Sequence, residues 1–236
     1  MEELMRTMLL TGASGYLGGA IIARHYRDYR FLAVRNTGCV PFTTDGQSVF
    51  DPLEPQGTSE ENSFPVTELI ADLTDGLAVE RLVDDLIKEH PPIDVLINAA
   101  AWRGFTPLYT KAARDSAARV FAVNVLGPLR LSSLLAEHQW ASSQEENIRQ
   151  RRNIVNVSSS SGLFVYPESG QGLYGSAKAA LNHLTYHMAS DFWDIGIRAN
   201  AVAPDSFPSR VPTQTVIDAI IDFDQGEMTG EVRQLT

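Results

Sequence analysis

The sequence predicts an α/β fold in which helices cover both faces of a parallel β-sheet. Short apolar runs rich in strand-forming residues alternate with segments of helical period, which is the pattern of a doubly wound sheet. The first run leads into a glycine-rich turn and then a helix, as in Rossmann-type folds. With 236 residues, 44% of them apolar and 20% charged, the chain suits a single domain over 1–236.

Six strands and a short seventh are predicted, with helices in most of the intervals. The expected strands are 5–10, 31–34, 68–71, 95–98, 154–157, 198–202 and 231–235. The expected helices with the clearest period are 78–88, 112–137 and 174–192. Residues 37–66 carry several Pro and Gly without a helical period, which predicts a loop insertion, and 142–152 is expected to be exposed.

The first strand ends in Thr-Gly-Ala-Ser-Gly-Tyr-Leu-Gly, where glycines stand at 12, 15 and 18. Glycine lets a backbone approach a pyrophosphate closely, and the next helix offers free N–H groups and a partial positive charge. The same turn could also be a tight connection that binds no ligand. A dinucleotide site is the favoured interpretation because other motifs accompany the turn.

Charge and composition restrict the class of partner. The chain has 19 basic and 29 acidic residues and a net charge of −10, which argues against a general binder of nucleic acid or anionic membranes. No apolar run is expected to span a membrane. The lone Cys39 forms no intrachain disulfide, and no secretory signal is recognised, so a reducing, cytoplasmic setting is expected.

Tyr174 and Lys178 lie four residues apart in Tyr-Gly-Ser-Ala-Lys, so they share one face of the predicted helix. A cation held near a phenol stabilises the phenolate, which lowers the tyrosine pKa and allows proton transfer near neutral pH. This spacing also arises by chance between a surface tyrosine and a solvated lysine. It becomes a candidate acid and base pair only together with the glycine turn.

Taken in order, these motifs resemble the short-chain dehydrogenases/reductases over essentially the whole chain. The fit is to the branch with smaller subunits, although the glycine spacing is that of the larger, sugar-nucleotide-modifying branch. The motifs that carry the resemblance are Thr11 to Gly18, Asp72-Leu73-Thr74-Asp75, Asn98-Ala99-Ala100-Ala101, Asn124, Ser158-Ser159 before Gly162, Tyr174 with Lys178, and Pro204.

The resemblance implies a catalytic group and a cofactor surface. Tyr174 would donate the proton, Lys178 would lower its pKa and hold the nicotinamide ribose, Ser159 would bind the substrate oxygen, and Asn124 would hold a water. Ser159 is chosen among four consecutive serines because it stands three residues before Gly162. The implied cofactor contacts are Gly12, Ser14, Gly15, Tyr16, Leu17, Gly18, Arg35, Asn36, Asp72, Leu73, Asn98, Ala99, Ala100, Tyr174, Lys178 and Pro204.

Three departures from the family pattern bear on the site. Tyr16 occupies the later glycine position and could crowd the pyrophosphate or point outward. Ala99 and Ala101 replace the usual Asn and Gly, and a Cβ at 101 could narrow the floor under the nicotinamide. Only 31 residues follow Asp205, so 204–225 is expected to form a short substrate segment and an open site. This suits a bulky or carrier-bound substrate, or a lid from a partner subunit or from 37–66.

The preferred dinucleotide is expected to depend on the end of the second strand. An acidic side chain there would bind the ribose hydroxyls of NAD, whereas Arg35-Asn36 suits the 2′-phosphate of NADP. NADP is therefore predicted, with NAD as the alternative. Arg35 could also be a solvated side chain or could stack on adenine without choosing between the two.

The predicted function is an NAD(P)H-dependent ketone or aldehyde reductase, or the matching alcohol dehydrogenase, acting on a small or carrier-bound carbonyl compound. The alternatives are an epimerase or dehydratase with a tightly held cofactor and a non-catalytic NAD(P)-binding sensor or partner subunit. By resemblance, the helices 112–137 and 174–192 would form a homodimer or homotetramer interface. A metal site at His183, His187 and Asp191 is considered and not adopted, because such rows on helices are usually solvated.

Overall fold

The computed structural model describes residues 5–40, 66–167 and 169–236, and the greater part of the predicted 37–66 loop lies outside them. The predicted fold class is confirmed, since all seven strands lie in one parallel sheet with the order β3-β2-β1-β4-β5-β6-β7. The strands are β1 (Arg6–Thr11), β2 (Tyr29–Arg35), β3 (Val66–Ile70), β4 (Val95–Asn98), β5 (Asn153–Val157), β6 (Arg198–Pro204) and β7 (Val232–Leu235).

The helices lie on both sides of this sheet. One long helical stretch, Lys111–Trp140, contains α3 and α4, and a wide π turn follows each of them at Ala122–Leu126 and Ala136–Trp140. The helices are α1 (Tyr16–His25), α2 (Gly76–Glu89), α3 (Lys111–Phe121), α4 (Gly127–Leu135), α5 (Gln144–Arg149), α6 (Gly172–Asp191) and α7 (Thr213–Gln225).

Two buried clusters, one on each face of the sheet, hold the layers together. Strand residues alternate between them, so that Leu10 packs with α1 and α7 while its neighbour Leu9 packs with α2 and α4. Both faces are covered, which explains why the strands are apolar almost throughout instead of alternating with polar residues. This arrangement leaves the carboxyl ends of β1, β2, β4, β5 and β6 free to carry a site.

The structure corrects or adds to the sequence expectations for three segments. Residues 142–152 are not simply an exposed excursion, because they contain α5, where Asn147 is fully buried and donates to the carbonyls of Trp140 and Ile195. The 204–225 segment is mostly helix, since α7 buries an apolar face in the core. Lys111–Trp140 is 30 residues long and contains an 18-residue window with a mean hydropathy of 1.3, so it does have the length and composition of a membrane span, although it packs Leu131 and Leu135 into the core.

Asp224, near the end of α7, connects that helix to three strands. Its carboxylate is fully buried and accepts hydrogen bonds from the Tyr29 hydroxyl at 2.6 Å and from Asn153 at 2.8 Å, and it pairs with Arg6 at 2.8 Å. Burial and this carboxylate raise the pKa of Tyr29, so the phenol stays protonated as the donor. The cluster fixes α7 against β1, β2 and β5.

We expect Asp224→Ala to lower the free energy of unfolding by about 3–5 kcal/mol, because it leaves the buried donors of Tyr29 and Asn153 without their acceptor and removes the ion pair of the partly buried Arg6. Urea unfolding measures the change. Asp218→Ala on the exposed side of the same helix is the control and should change stability by less than about 0.5 kcal/mol. Equal losses in the two variants would contradict the structural role given to the buried cluster.

Candidate active site

A cleft of about 890 Å³ opens at the carboxyl ends of the central strands. It lies across β1 and β4, where the strand order reverses, which is the usual ligand position in doubly wound sheets. Its volume is at the upper end of the roughly 300–1,000 Å³ typical of small-molecule sites. The lining comes from the ends of five strands and from the segments that follow them, so residues distant in sequence meet here.

The glycine turn forms one end of the cleft. Gly12 has φ +71°, and a Cβ on it would lie 2.8 Å from the Ala100 backbone, so only glycine allows the turn to approach β4 this closely. Helix α1 begins after Gly15 with no side-chain cap on its first N–H groups. Uncapped N–H groups at a helix N-terminus, facing a cleft, suit the pyrophosphate of a dinucleotide.

Thr11 joins this turn to the floor of the cleft. Its hydroxyl oxygen accepts hydrogen bonds from the backbone N–H groups of Ala99 and Ala100, both at 3.1 Å, and its side chain is buried. The chain after β4 is thus held against the end of β1 by a single side chain. Ala101, which replaces a family glycine, lines the cleft together with Ala99 and Ala100.

The expected cofactor contacts line the cleft, with one exception. Asn98 is buried at the end of β4, where its amide donates to Asn156 at 2.9 Å, so the side chain links two strands and is not part of the cleft wall. Tyr16 is 64% exposed, and its hydroxyl lies 3.3 Å from Thr213 on α7, so its ring stays at the mouth. The expected contacts on the cleft wall are Gly12, Ser14, Gly15, Tyr16, Leu17, Gly18, Arg35, Asn36, Asp72, Leu73, Ala99, Ala100, Tyr174, Lys178 and Pro204.

Arg35 is the last residue of β2, and its Nε pairs with the carboxylate of Glu68 on the neighbouring β3. The guanidinium is therefore held at the edge of the cleft, not solvated beyond the strand. Asp72 also faces this end, where hydrogen bonds from Thr74 hold the pKa of its carboxyl below the usual value. This end of the cleft therefore combines the ionised carboxylate of Asp72 with the guanidinium of Arg35, whose charge is partly offset by Glu68.

Tyr174 and Lys178 lie on the buried face of α6, one turn apart, with the Lys178 Nζ 5.7 Å from the centre of the Tyr174 ring. The Lys178 ammonium donates to the Val157 carbonyl at 2.7 Å. Burial lowers the pKa of Lys178 to about 7. A lysine with this pKa exchanges its proton readily near neutral pH.

The expected lowering of the Tyr174 pKa is not what the protein chain alone produces. Burial raises the pKa of the Tyr174 hydroxyl, and a hydrogen bond from Ser159 and the charge of Arg103 act in the opposite direction. Lys178, whose own pKa is lowered by burial, is not among the groups that lower the Tyr174 pKa. The Tyr174 hydroxyl is therefore protonated at neutral pH.

The four serines after β5 have different partners. The Ser158 hydroxyl donates to the Lys178 carbonyl at 3.3 Å, Ser160 accepts from the Tyr166 hydroxyl at 3.0 Å, and Ser161 bonds to Gln171. Ser159 accepts from the Ser161 N–H at 3.2 Å and is the serine beside Tyr174, where its hydroxyl acts to lower the tyrosine pKa. A Cβ on Gly162 would lie 2.7 Å from the Lys178 backbone, so that glycine lets the serine turn press against α6.

Asn124 lies in the π turn after α3 and is fully buried. Its amide nitrogen donates to the carbonyls of Val120 and Trp102, both at 2.8 Å, while no hydrogen bond reaches its Oδ1 within the described residues. The bond to Val120 is local, within one turn of the same helical stretch. The bond to Trp102 is not, because it fixes the chain that follows β4 beside the cleft.

Arg103 and Arg119 line the cleft and carry no family motif. Arg119 stacks on the Trp102 ring at 3.9 Å, while Arg103 acts on Tyr174 through its charge. Only Arg103 had a signal in the sequence, because residues shortly after a central strand lie at the ligand edge of such a sheet, whereas Arg119 lies within α3. His183 and His187 lie apart from this site, with their Nε2 atoms 3.3 Å apart on the exposed side of α6, and no group of three metal-binding side chains occurs in the described part of the chain.

Comparison with known proteins agrees with this geometry. The family model for short chain dehydrogenases matches residues 48–217. Protein FixR of Bradyrhizobium diazoefficiens is 31% identical over 206 residues, which are 84% of this chain and 66% of FixR. Sorbitol dehydrogenase of Cereibacter sphaeroides is 28% identical over 200 residues, which are 84% of this chain and 69% of that enzyme.

A solved structure adds to the match. A short-chain dehydrogenase/reductase family oxidoreductase from Brucella ovis, in complex with a partially ordered NAD, is 26% identical, with a TM-score of 0.68 over 98% of this chain and 99% of its own. The chain belongs to the short-chain dehydrogenase/reductase family. Its class is thereby that of the NAD(P)-dependent oxidoreductases.

Proposed function

We propose that this protein reduces a ketone or aldehyde, or oxidises the matching alcohol, with Tyr174 as the proton donor and acceptor. The observation that carries the proposal is the contact of Tyr174 with Ser159 in a cleft that also presents Lys178 and an uncapped helix N-terminus. A bound nicotinamide dinucleotide supplies or accepts the hydride at the carbonyl carbon. The protein must then transfer one proton and stabilise one developing negative charge.

Each catalytic side chain has a distinct part in that task. The Tyr174 hydroxyl gives its proton to the substrate oxygen, and the Ser159 hydroxyl donates a hydrogen bond to the same oxygen as its charge grows. Lys178, with a pKa of about 7, stabilises the phenolate that is left and passes on a replacement proton. The Asn124 Oδ1 accepts a hydrogen bond from a water on that route.

These parts also distinguish the proposal from its rivals. An epimerase or dehydratase regenerates its cofactor within each cycle, whereas a reductase consumes added NADPH in proportion to product. A sensor without catalysis has no chemical use for Ser159 beside Tyr174 or for a lysine buried at a cost. Consumption of added NADPH with a carbonyl panel tests the function, and binding without consumption of either dinucleotide would reject it.

NADP is the proposed dinucleotide, and Arg35 is the proposed contact of its 2′-phosphate. Glu68 holds Arg35 at the cleft edge through Nε, which leaves the terminal nitrogens of the guanidinium to bind a phosphate. Asn36 and Asp72 line the same end, where they would contact the adenosine.

We expect Arg35→Gln to weaken NADPH binding by about 10-fold to 100-fold while NADH binding changes by less than about 3-fold, since one charge-assisted hydrogen bond is lost. Nicotinamide fluorescence measures both affinities. Gln is preferred to Asp because a carboxylate at 35 would face Glu68. Arg24→Gln on the outer side of α1 is the matched control. If Arg35→Gln weakened the binding of NADH and NADPH equally, Arg35 would not determine which dinucleotide is preferred.

We propose in addition that the protein is a cytoplasmic homodimer or homotetramer that acts without nucleic acid. The long stretch Lys111–Trp140 and α6 would form the interface. Their exposed apolar side chains support this, since Leu126, Leu129 and Tyr186 lie on these helices at the surface. Sedimentation at several protein concentrations determines the assembly.

A further inference from the structure

Arg103 is the feature of the cleft that the proposed reaction leaves unused. Three other arginines on the wall have partners, because Arg35 pairs with Glu68, Arg210 pairs with Asp205, and Arg119 stacks on Trp102. Arg103 has no ion pair, hydrogen bond or ring contact with any residue in the described ranges, and it is exposed to the cleft. Because this guanidinium has no such partner, it can bind an anionic ligand without losing a contact to the protein.

The chain around Arg103 is fixed on both sides. Before it, the Trp102 carbonyl accepts from the buried Asn124 at 2.8 Å. After it, Thr106 donates its backbone N–H to the Gly170 carbonyl at 2.8 Å. The backbone that carries Arg103 is therefore tied to the π turn and to the segment before α6, and the charge is placed by the fold.

Arg103 belongs to the reactive end of the cleft. It follows β4, its charge acts on the Tyr174 hydroxyl, and Phe105, two residues later, packs edge-on against the Tyr174 ring at 5.4 Å. The proposed binding sites for the phosphates of the cofactor lie elsewhere, at the glycine turn after β1 and at Arg35 on β2. An anion bound to Arg103 is therefore on the substrate and not on the dinucleotide.

We propose that the substrate is an oxo acid, or the matching hydroxy acid, whose carboxylate binds the Arg103 guanidinium while its carbonyl oxygen meets Tyr174 and Ser159. This proposal rests on the proposed function. One guanidinium offers two parallel N–H groups that match a single carboxylate. The exposed rings of Trp102 and Phe105 would contact the short apolar part between the two groups.

The test uses pyruvate, acetoacetate and levulinate, which differ in the spacing of carbonyl and carboxylate, each together with its methyl ester. We expect at least one acid to be reduced with a higher kcat/KM than its ester. In Arg103→Gln that kcat/KM should fall by about 10-fold to 100-fold through KM, while the ester changes by less than about 3-fold. Arg24→Gln, which makes the same change of net charge away from the cleft, should leave both values as they are.

Binding is measured separately from turnover, so that the two proposals fail in different ways. NADPH bound to the Tyr174→Phe protein reports the binding of each acid through its fluorescence, with and without Arg103→Gln. Binding that depends on Arg103 without turnover in the wild-type protein would reject the proposed reaction and keep the carboxylate site. Turnover of esters with no preference for acids, or acid binding that survives Arg103→Gln, would overturn the carboxylate site.

Discussion

Replacing Tyr174 with Phe is expected to reduce kcat by about 100-fold to 10,000-fold, which is the range for the loss of a positioned general acid. The change removes one hydroxyl and keeps the ring that packs against Phe105. Binding of NADPH should stay within about 3-fold of wild type, because the dinucleotide contacts on the glycine turn and at Arg35 are distant from that hydroxyl. Steady-state reduction of a carbonyl substrate and fluorescence titration measure the two effects.

The matched control for this change is Tyr166→Phe. Tyr166 also presents a hydroxyl near the serine turn, but this hydroxyl donates to Ser160 at 3.0 Å and not to Ser159. Its loss should change kcat by less than about 3-fold. A larger loss from Tyr166→Phe than from Tyr174→Phe would transfer the role of proton donor to Tyr166.

Replacing Lys178 with Met should abolish turnover and at the same time stabilise the protein near neutral pH. Burial lowers the pKa of Lys178 from 10.5 to about 7. Between these two values the unfolded chain holds a proton that the folded protein gives up, so unfolding becomes less favourable as the pH rises. The destabilisation that results from burying the Lys178 ammonium is therefore complete below pH about 7 and disappears as the pH rises towards about 10.

A shift of this size corresponds to roughly 5 kcal/mol at acidic and neutral pH. Removing the ammonium also leaves the Val157 carbonyl without its donor, at a cost of about 1–3 kcal/mol. We therefore expect Lys178→Met to gain about 2–4 kcal/mol at pH 6 and to lose about 1–3 kcal/mol at pH 10. Urea unfolding of the ligand-free protein across this range measures the difference.

The control for the charge change is Lys111→Met, since that lysine is exposed at the start of α3. Its loss should change the free energy of unfolding by less than about 0.5 kcal/mol, as is usual for an exposed side chain. A Lys178→Met protein that is less stable than wild type at every pH would mean that the lost hydrogen bond outweighs burial. A gain in stability of the same size at pH 6 and at pH 10 would mean that the titration of Lys178 is not its cause.

The strand positions could be predicted from the sequence because buried parallel strands are short apolar runs between turns. Every predicted strand lies within two residues of its observed bounds. Helix α7 was missed although Val216, Ile217 and Ile220 carry its period, because the segment was interpreted through the family's substrate loop. Helix α5 has six residues, too few for a period to be recognised.

The candidate site was predictable where a residue type is tied to a motif and unpredictable where contacts cross the fold. Tyr174 and Lys178 follow from spacing, and Ser159 could be chosen from its distance to Gly162. The pairing of Arg35 with Glu68 depends on the register of β2 and β3, which is set across the long 36–65 connection and leaves no local signal. The role of Arg103 likewise could not be predicted, because it depends on the residues that the fold places near it.

Helix α7 packs on the sheet directly after the segment that borders the cleft, Pro204 to Arg210. Its inner face is built into the core through Ile217, Ile220 and Phe223, and its carboxylate at 224 is tied to three strands. A helix anchored in this way cannot swing aside as a hinged lid does without breaking the core. We therefore expect any movement on this side of the cleft to be confined to the residues between β6 and α7.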